Sequence, residues 1–201
     1  MRIKGGSTPT ANLGALVEKY LPDLEHYEIV YKDLHQQPEL GKQESRTSEI
    51  AADHLESLGF NVHRKISGYG IAGVLKNGSG RTVLLRADMD ALPVREETGR
   101  QYASQVIQKK ADGKEVPVTH ACDHDVHVTC LMVVATLLHA ARKEWSGMLI
   151  CLFQPNEEGG PSAQAMVDGG LYDKVPIPDI ILGQTSTAIA QETWPSHPAR
   201  S

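Results

Sequence analysis

Three short polar clusters contain the residues best suited to chemistry. The first, residues 86–90, reads RADMD and places Asp88 and Asp90 two residues apart. Side chains so spaced in an extended chain point to the same side, so both carboxylates could bind a cation or orient a residue that does. A turn leading into Pro93 is the alternative interpretation, and the pair by itself leaves both open.

The second cluster, residues 120–127, reads HACDHDVH and concentrates His120, Cys122, His124 and His127. Cys122 and His124 are two apart, so a thiolate and an imidazole could converge on one ion. Histidine is the commonest metal ligand, and a thiolate favours zinc. Asp125 suits the N-cap of the helix that follows. A helix start with exposed histidines is the alternative, but it does not explain the concentration of His and Cys.

The third cluster, residues 153–160, reads FQPNEEGG and contains Glu157 and Glu158. One carboxylate could bind a metal while the other takes a proton from metal-activated water and passes it to the leaving group. A solvated acidic turn is the alternative. Together the three clusters predict hydrolysis by metal-activated water. Cys122 as a nucleophile is the rival mechanism, which the surrounding acidic residues disfavour because they oppose thiolate formation.

The pattern of apolar residues predicts an α/β domain that would bring the clusters together. It predicts helices over 13–34 with a break at Pro22, 48–58, 126–142 and 162–168, and strands over 60–66, 70–75, 82–87, 147–153 and 180–182. Residues 99–117 form a polar connection without a strong pattern. We expect a mostly parallel sheet with helices on both faces. Ligands of such sheets bind beyond the carboxyl ends of the strands, where the clusters fall.

Composition excludes several classes of protein. The 201 residues carry a formal charge of −5 and are 40% hydrophobic, which argues against disorder and against generic nucleic-acid binding. The longest run without Asp, Glu, Lys or Arg, residues 126–141, is too short to span a bilayer, and no apolar signal segment begins the chain. Three cysteines suit a reducing compartment. We therefore expect a cytoplasmic protein with neither nucleic acid nor membrane as partner.

Four ordered segments resemble the metal-dependent amidohydrolases of the aminoacylase and carboxypeptidase superfamily, in the branch of hippurate hydrolase and indole-acetyl-amino-acid hydrolases. They read LHQQPELGKQESRTS, RADMDALPVREETG, THACDHDVH and LFQPNEEGGPSAQAMVDGG, within a match from about Tyr27 to Gln184. The resemblance implies a zinc-peptidase-like catalytic domain with two divalent ions, zinc or manganese. It would cleave the amide bond of an N-acyl amino acid or similar small amide.

The resemblance also implies roles for individual residues. The metal ligands of the family fall on Cys122, His124 and Glu158, and the general base falls on Glu157. Asp88 and Asp90 fall on the acidic motif of the family, where a supporting role is expected, and His120 is given the same role.

The chain departs from the family pattern at two places. Asp123 replaces the glycine of the usual Cys-Gly-His motif, which carries a conformational cost if the position needs a positive φ. After PDIILGQ the family continues with a ligand histidine, whereas Thr185 follows Gln184 here. We therefore expect residues 1–184 to form a partial, C-terminally truncated catalytic domain and residues 185–201 an unpatterned tail, in which His197 is not a ligand. The dimerisation domain of the family would be missing, which leaves the oligomeric state open.

Two further hypotheses compete with a working amidohydrolase. The chain could be a catalytically inactive metal-binding or interaction fragment of such an enzyme. It could also be a small protein with a structural zinc site, which is disfavoured because only Cys122 among the cysteines lies inside the histidine cluster.

Overall fold

The computed structural model describes residues 2–3 and 9–183, which form eight strands and six helices. The strands are β1 (Arg2–Ile3), β2 (Asn61–Ile66), β3 (Gly70–Asn77), β4 (Thr82–Asp88), β5 (Ile107–Lys109), β6 (Glu115–Pro117), β7 (Trp145–Gln154) and β8 (Ile180–Gly183). The helices are α1 (Pro9–Tyr20), α2 (Leu24–Gln36), α3 (Ser45–Ser57), α4 (His124–Ala140), α5 (Ser162–Asp168) and α6 (Leu171–Lys174).

The central sheet has the strand order β2-β3-β7-β4-β8, and β1 pairs with the beginning of β7. Strand β4 is parallel to both β7 and β8, whereas β3 is antiparallel to both β2 and β7. The predicted α/β class is confirmed, but the sheet is mixed rather than mostly parallel. Only residues 67–69 separate β2 from β3, and a parallel pair needs a crossover of a dozen residues or more.

The alternation of side chains along β7 divides the core into two layers. Cys151 and Phe153 pack with the buried residues of α2, α3 and α4, whereas Ile150 and Leu152 pack with those of α5 and α6. Successive side chains of a strand point to opposite faces, so a continuous apolar run is buried on both sides. The predicted helices on both faces are therefore confirmed.

One local prediction is wrong, and one connection contains an element that was not predicted. Asp125 is not the N-cap of α4, because that helix begins at His124 and Asp123 occupies the N-cap position with a left-handed backbone (φ 59°, ψ 26°). The connection over residues 99–117 contains a small hairpin of β5 and β6. Its strands have three residues each, too few to produce a recognisable period in the sequence. The break predicted at Pro22 is confirmed, since α1 ends at Tyr20 and α2 begins at Leu24.

Candidate metal centre

The three polar clusters meet at one end of the central sheet. Strands β4 and β7 are parallel neighbours with Asp88 opposite Gln154, so the chain leaves both strands at the same edge. The backbone N–H of Met89 donates to the carbonyl of Gln154 (3.0 Å), which keeps the two exits together. The first turn of α4 lies against them through His124. The parallel register thus brings together groups that are far apart in sequence.

His124 stands at the centre of this group. Its Nδ1 hydrogen-bonds the backbone carbonyl of Asp90 at 2.8 Å, and its Nε2 lies 3.9 Å from Oε1 of Glu158 and 3.5 Å from Oδ2 of Asp88. Burial lowers the pKa of His124, but the hydrogen bond to Asp90 and the charges of Asp88 and Asp90 raise it more, so the net shift is upward. Since Nδ1 faces a carbonyl acceptor, Nε2 is the nitrogen that could bind a metal in the neutral ring.

Asp90 holds the turn of residues 156–158, which carries Glu157 and Glu158 and is called the glutamate turn below. The backbone N–H groups of Glu157 and Glu158 donate to Oδ1 and Oδ2 of Asp90 at 2.9 and 3.0 Å. Burial raises the pKa of Asp90, yet the hydrogen bonds from His124 and from these two N–H groups outweigh it and hold the pKa below its ordinary value. Asp90 therefore joins all three clusters. It belongs to the first, it hydrogen-bonds His124 of the second, and its carboxylate fixes the turn of the third.

Single donor atoms of His124, Glu157 and Glu158 lie within 4.8 Å of one another. Cys122 lies beside Glu158, and the hydrogen bond between them, together with burial, raises the pKa of the Cys122 thiol to about 11. At neutral pH the sulfur is therefore a thiol, which disfavours Cys122 as an unaided nucleophile. Of the four residues predicted as ligands and base, the structure thus brings His124, Glu157 and Glu158 together, and Cys122 joins them through its bond to Glu158. A thiol, an imidazole and carboxylates form a donor set that suits a divalent cation of borderline softness.

Asp88 belongs to a second group, whose donor atoms on Asp88, His124 and His127 also lie within 4.8 Å. Its Oδ1 is 2.6 Å from Nδ1 of His127, and its Oδ2 is 2.8 Å from Nη1 of Arg86. Nε2 of His127 is buried and has no hydrogen-bond partner within the described part of the chain. Such a buried nitrogen fits a site that a cation would complete.

Arg86 and His127 lie in the predicted clusters, but neither was assigned an individual task from the sequence. Arg86 precedes Asp88 by two residues on one strand, and His127 follows His124 by three on one helix, so each faces the same side as its neighbour.

His120 stands apart from these contacts. Its ring is buried, and neither ring nitrogen has a hydrogen-bond partner within residues 9–183. Burial lowers the pKa of His120 to about 4, so the ring is neutral near pH 7. The structure therefore brings Asp88 and Asp90 into direct contact with the candidate ligands, but it does not do so for His120.

A buried ion pair supports the start of α4 from behind. His35 of α2 contacts Oδ2 of Asp125 through Nδ1 at 2.6 Å and Oε1 of Glu96 through Nε2 at 3.1 Å. The hydrogen bond to Asp125 raises the pKa of His35, burial opposes it and Glu96 adds to it, so that the pKa reaches about 9. This pairing explains why Asp125 does not cap the helix: its carboxylate is used in a tertiary contact.

Fold and donor set together define an α/β domain with a candidate centre for divalent metal. The chain belongs to peptidase family M20/M25/M40, whose sequence profile matches residues 84–196, more than half of the chain. Hippurate hydrolase of Campylobacter jejuni is 40% identical over 149 residues, which are 74% of this chain and 36% of that protein. IAA-amino acid hydrolase ILR1-like 5 of Arabidopsis thaliana is 35% identical over 146 residues, or 73% of this chain and 32% of that protein.

The fold of this chain is also similar to that of a solved structure. The YXEP protein of Bacillus subtilis, described as a dinuclear metal binding peptidase, superposes with a TM-score of 0.70 at 28% identity over 85% of this chain and 44% of that one. The chain spans about a third of the length of the curated relatives it matches. The family match runs past the boundary predicted at Gln184, and the predictions for Gln184, Thr185 and His197 lie outside the described residues. Among the described helices, none combines the length and apolar character needed to cross a membrane.

Proposed function

We propose that this protein hydrolyses the amide bond of N-acyl amino acids or similar small amides with the help of divalent metal, zinc or manganese. The observation that carries the proposal is the convergence of His124, Glu157 and Glu158 within 4.8 Å, with the thiol of Cys122 bonded to Glu158. The names of the relatives support the substrate class, because hippurate and IAA-amino acids are small amides.

In this proposal Cys122, His124 and Glu158 hold the metal. A divalent ion in such a site lowers the pKa of water and polarises the scissile carbonyl. Glu157, whose side chain is 39% exposed, is the general base: it takes the proton of the attacking water and delivers it to the leaving nitrogen. Its neighbour Glu158 is turned toward His124 and Cys122, so the two adjacent carboxylates divide the roles of base and ligand.

The supporting residues hold the proposed ligands and base in position. Asp90 fixes the ring of His124 through its carbonyl and the glutamate turn through its carboxylate. Asp88 is held by Arg86 and His127, and its charge faces Nε2 of His124. His120, whose ring is buried and neutral near pH 7, keeps a proposed supporting role.

The remaining proposals concern the whole chain. We propose a cytoplasmic location, from the free cysteines, and a small amide as the binding partner rather than nucleic acid or membrane. We also propose residues 1–184 as part of a catalytic domain, with residues 185–201 as a distinct segment.

The test is to purify the full chain, measure zinc and manganese content, and assay hydrolysis of N-acetyl and N-benzoyl amino acids. Glu157→Gln should keep its metal and lose about 10²- to 10⁴-fold in kcat, the contribution of a general base. Glu158→Gln should lose metal as well as activity. The exposed Glu97→Gln is the matched control and should resemble the unaltered protein in both assays.

Other outcomes would select the competing hypotheses. Bound metal without turnover in the unaltered chain would favour a catalytically inactive metal-binding fragment. One tightly bound zinc that is needed for folding, with Glu157 and Glu158 dispensable, would favour a structural site. Turnover that survives both chelation of metal and Glu157→Gln would contradict the proposed mechanism.

A further inference from the structure

The loop between α2 and α3, residues 37–44, contacts two parts of the candidate metal centre. Leu40 forms a parallel bridge with Ala91, and the N–H of Ala91 donates to the carbonyl of Glu39 at 2.8 Å. The end of the loop reaches the glutamate turn through Glu44. This loop lies in the first of the four segments that resemble the family, and the proposed function assigns no task to it.

Glu44 is fully buried, and its Oε1 accepts the backbone N–H of Asn156 at 2.6 Å. Its Oε2 has no hydrogen-bond partner among the residues the structure describes. Glu44 directly precedes α3 but makes no side-chain bond that caps this helix. Burying a carboxyl group is costly and raises the pKa of Glu44 to about 7, and the hydrogen bond from the N–H of Asn156 offsets part of that cost.

The cap of α3 comes from another residue of the same loop. The carboxylate of Glu39 accepts the backbone N–H groups of Arg46 and Thr47 at 2.9 and 2.8 Å. Two glutamates of one loop therefore have separate tasks. Glu39 stabilises a helix end, and Glu44 bonds a turn 112 residues further along the chain.

Asn156 is the residue through which Glu44 can set the position of the glutamates. It has a left-handed backbone (φ 53°) and immediately precedes Glu157. Its side chain lies between two glycines: a Cβ on Gly41 or Gly159 would come within 2.3 or 2.2 Å of Oδ1 of Asn156. Because the side chain packs closely between the two glycines, a shift of its backbone would displace the turn and both glutamates.

We propose that Glu44 is a positioning residue for the Glu157–Glu158 turn. Three consecutive backbone N–H groups, those of residues 156, 157 and 158, bond two buried carboxylates: Glu44 binds the first and Asp90 the other two. Glu44 acts through the turn and touches neither substrate nor metal. The inference rests on the proposed function, in which Glu158 is a ligand and Glu157 the base.

The first test is hydrogen exchange of the turn amides in the metal-free full chain. Glu44→Ala should speed exchange at residues 156–158 about tenfold or more, since the N–H of Asn156 loses its acceptor and the turn loses one of its two anchors. Glu39→Ala is the matched control: it removes the α3 cap and lowers overall stability but should leave exchange of the turn unchanged. Should Glu44→Ala fail to fold, Glu44→Met fills the same space without an acceptor and carries the same expectation.

The second test is metal affinity, measured by competition with a chromophoric chelator for Zn²⁺. Glu44→Ala should weaken binding about 10- to 100-fold, the usual loss when a residue that orients a ligand is removed. Glu44→Gln keeps an acceptor oxygen and should stay within about threefold of the unaltered chain, as should Glu39→Ala. Where the chain hydrolyses an N-acyl amino acid, Glu44→Ala should lower kcat and leave KM unchanged.

The inference would be overturned if the amides of residues 156–158 exchanged at equal rates in Glu44→Ala and Glu39→Ala. It would also be overturned if their exchange in Glu44→Ala equalled that of the unaltered chain. A chain that binds zinc without hydrolysing amides would contradict the proposed function while the exchange and affinity results still decide the role of Glu44. If the chain binds no zinc, the hydrogen exchange of residues 156–158 alone decides the role of Glu44.

Discussion

Replacing His35 by Gln tests the electrostatics behind α4 most directly. His35 is 12% exposed and lies between the carboxylates of Asp125 and Glu96 at 2.6 and 3.1 Å. Gln retains hydrogen-bonding capacity but cannot carry the charge. The substitution therefore removes the ionic part of the contact between α2, α4 and the loop that contains Glu96, with little change in volume.

The size of the effect follows from the pKa of His35, which is raised from 6.5 to about 9. The folded state thus binds the proton more tightly than the unfolded state, and the difference corresponds to about 3 kcal/mol of folding free energy. Because the folded pKa is the higher one, this contribution is complete below pH 6.5 and is lost as the pH rises through 9. The difference in free energy of unfolding between the unaltered chain and His35→Gln should depend on pH in the same way.

The assay is urea unfolding of the metal-free protein at pH 6, 7.5 and 10. His35→Gln should be less stable by about 3 kcal/mol at pH 6, and the deficit should shrink below about 1 kcal/mol at pH 10. His26→Gln, an exposed position on the same helix, is the matched control and should lose little stability. A deficit of His35→Gln that is equal at pH 6 and pH 10 would refute the ionic account and leave packing as the cause.

Two further predictions concern the site itself. Asp123→Gly should raise the free energy of unfolding by up to about 1 kcal/mol, because the residue has φ 59° and glycine adopts that conformation without strain. Asp123→Ala should lower the free energy of unfolding by about as much. Equal midpoints of urea unfolding for the two variants would contradict this reasoning. Asp88→Asn should cost about 3 kcal/mol, since it leaves Arg86 without its buried counter-charge and weakens the hydrogen bond to His127; a loss below 1 kcal/mol in the same assay would show that these contacts contribute little.

Much of the local structure could be predicted from the sequence. The break at Pro22, the helix over 162–168 and the buried strands before the RADMD and FQPNEEGG segments are where the pattern placed them. The cost expected at Asp123 depended on a positive φ, and the structure shows one. These features depend on neighbours within a few residues, so local periodicity and residue type are sufficient to predict them.

The contacts that define the centre could not be predicted in the same way. The bonds of Glu44 with Asn156 and of His35 with Asp125 join residues 112 and 90 positions apart, and no local pattern distinguishes these glutamate and histidine side chains from solvated ones. The same holds for Asp125, whose place near a helix start favoured a capping role until the packing of α2 gave it another partner.

The sequence by itself determined the donor chemistry, which is a thiol, an imidazole and paired carboxylates, and the short elements that carry it. The tertiary structure decided which donors meet, because the parallel register of β4 and β7 aligns two strand ends, and α4 and the α2–α3 loop then pack against them. Side-chain type is a property of one residue, whereas the distance between two donors depends on the packing of every element between them.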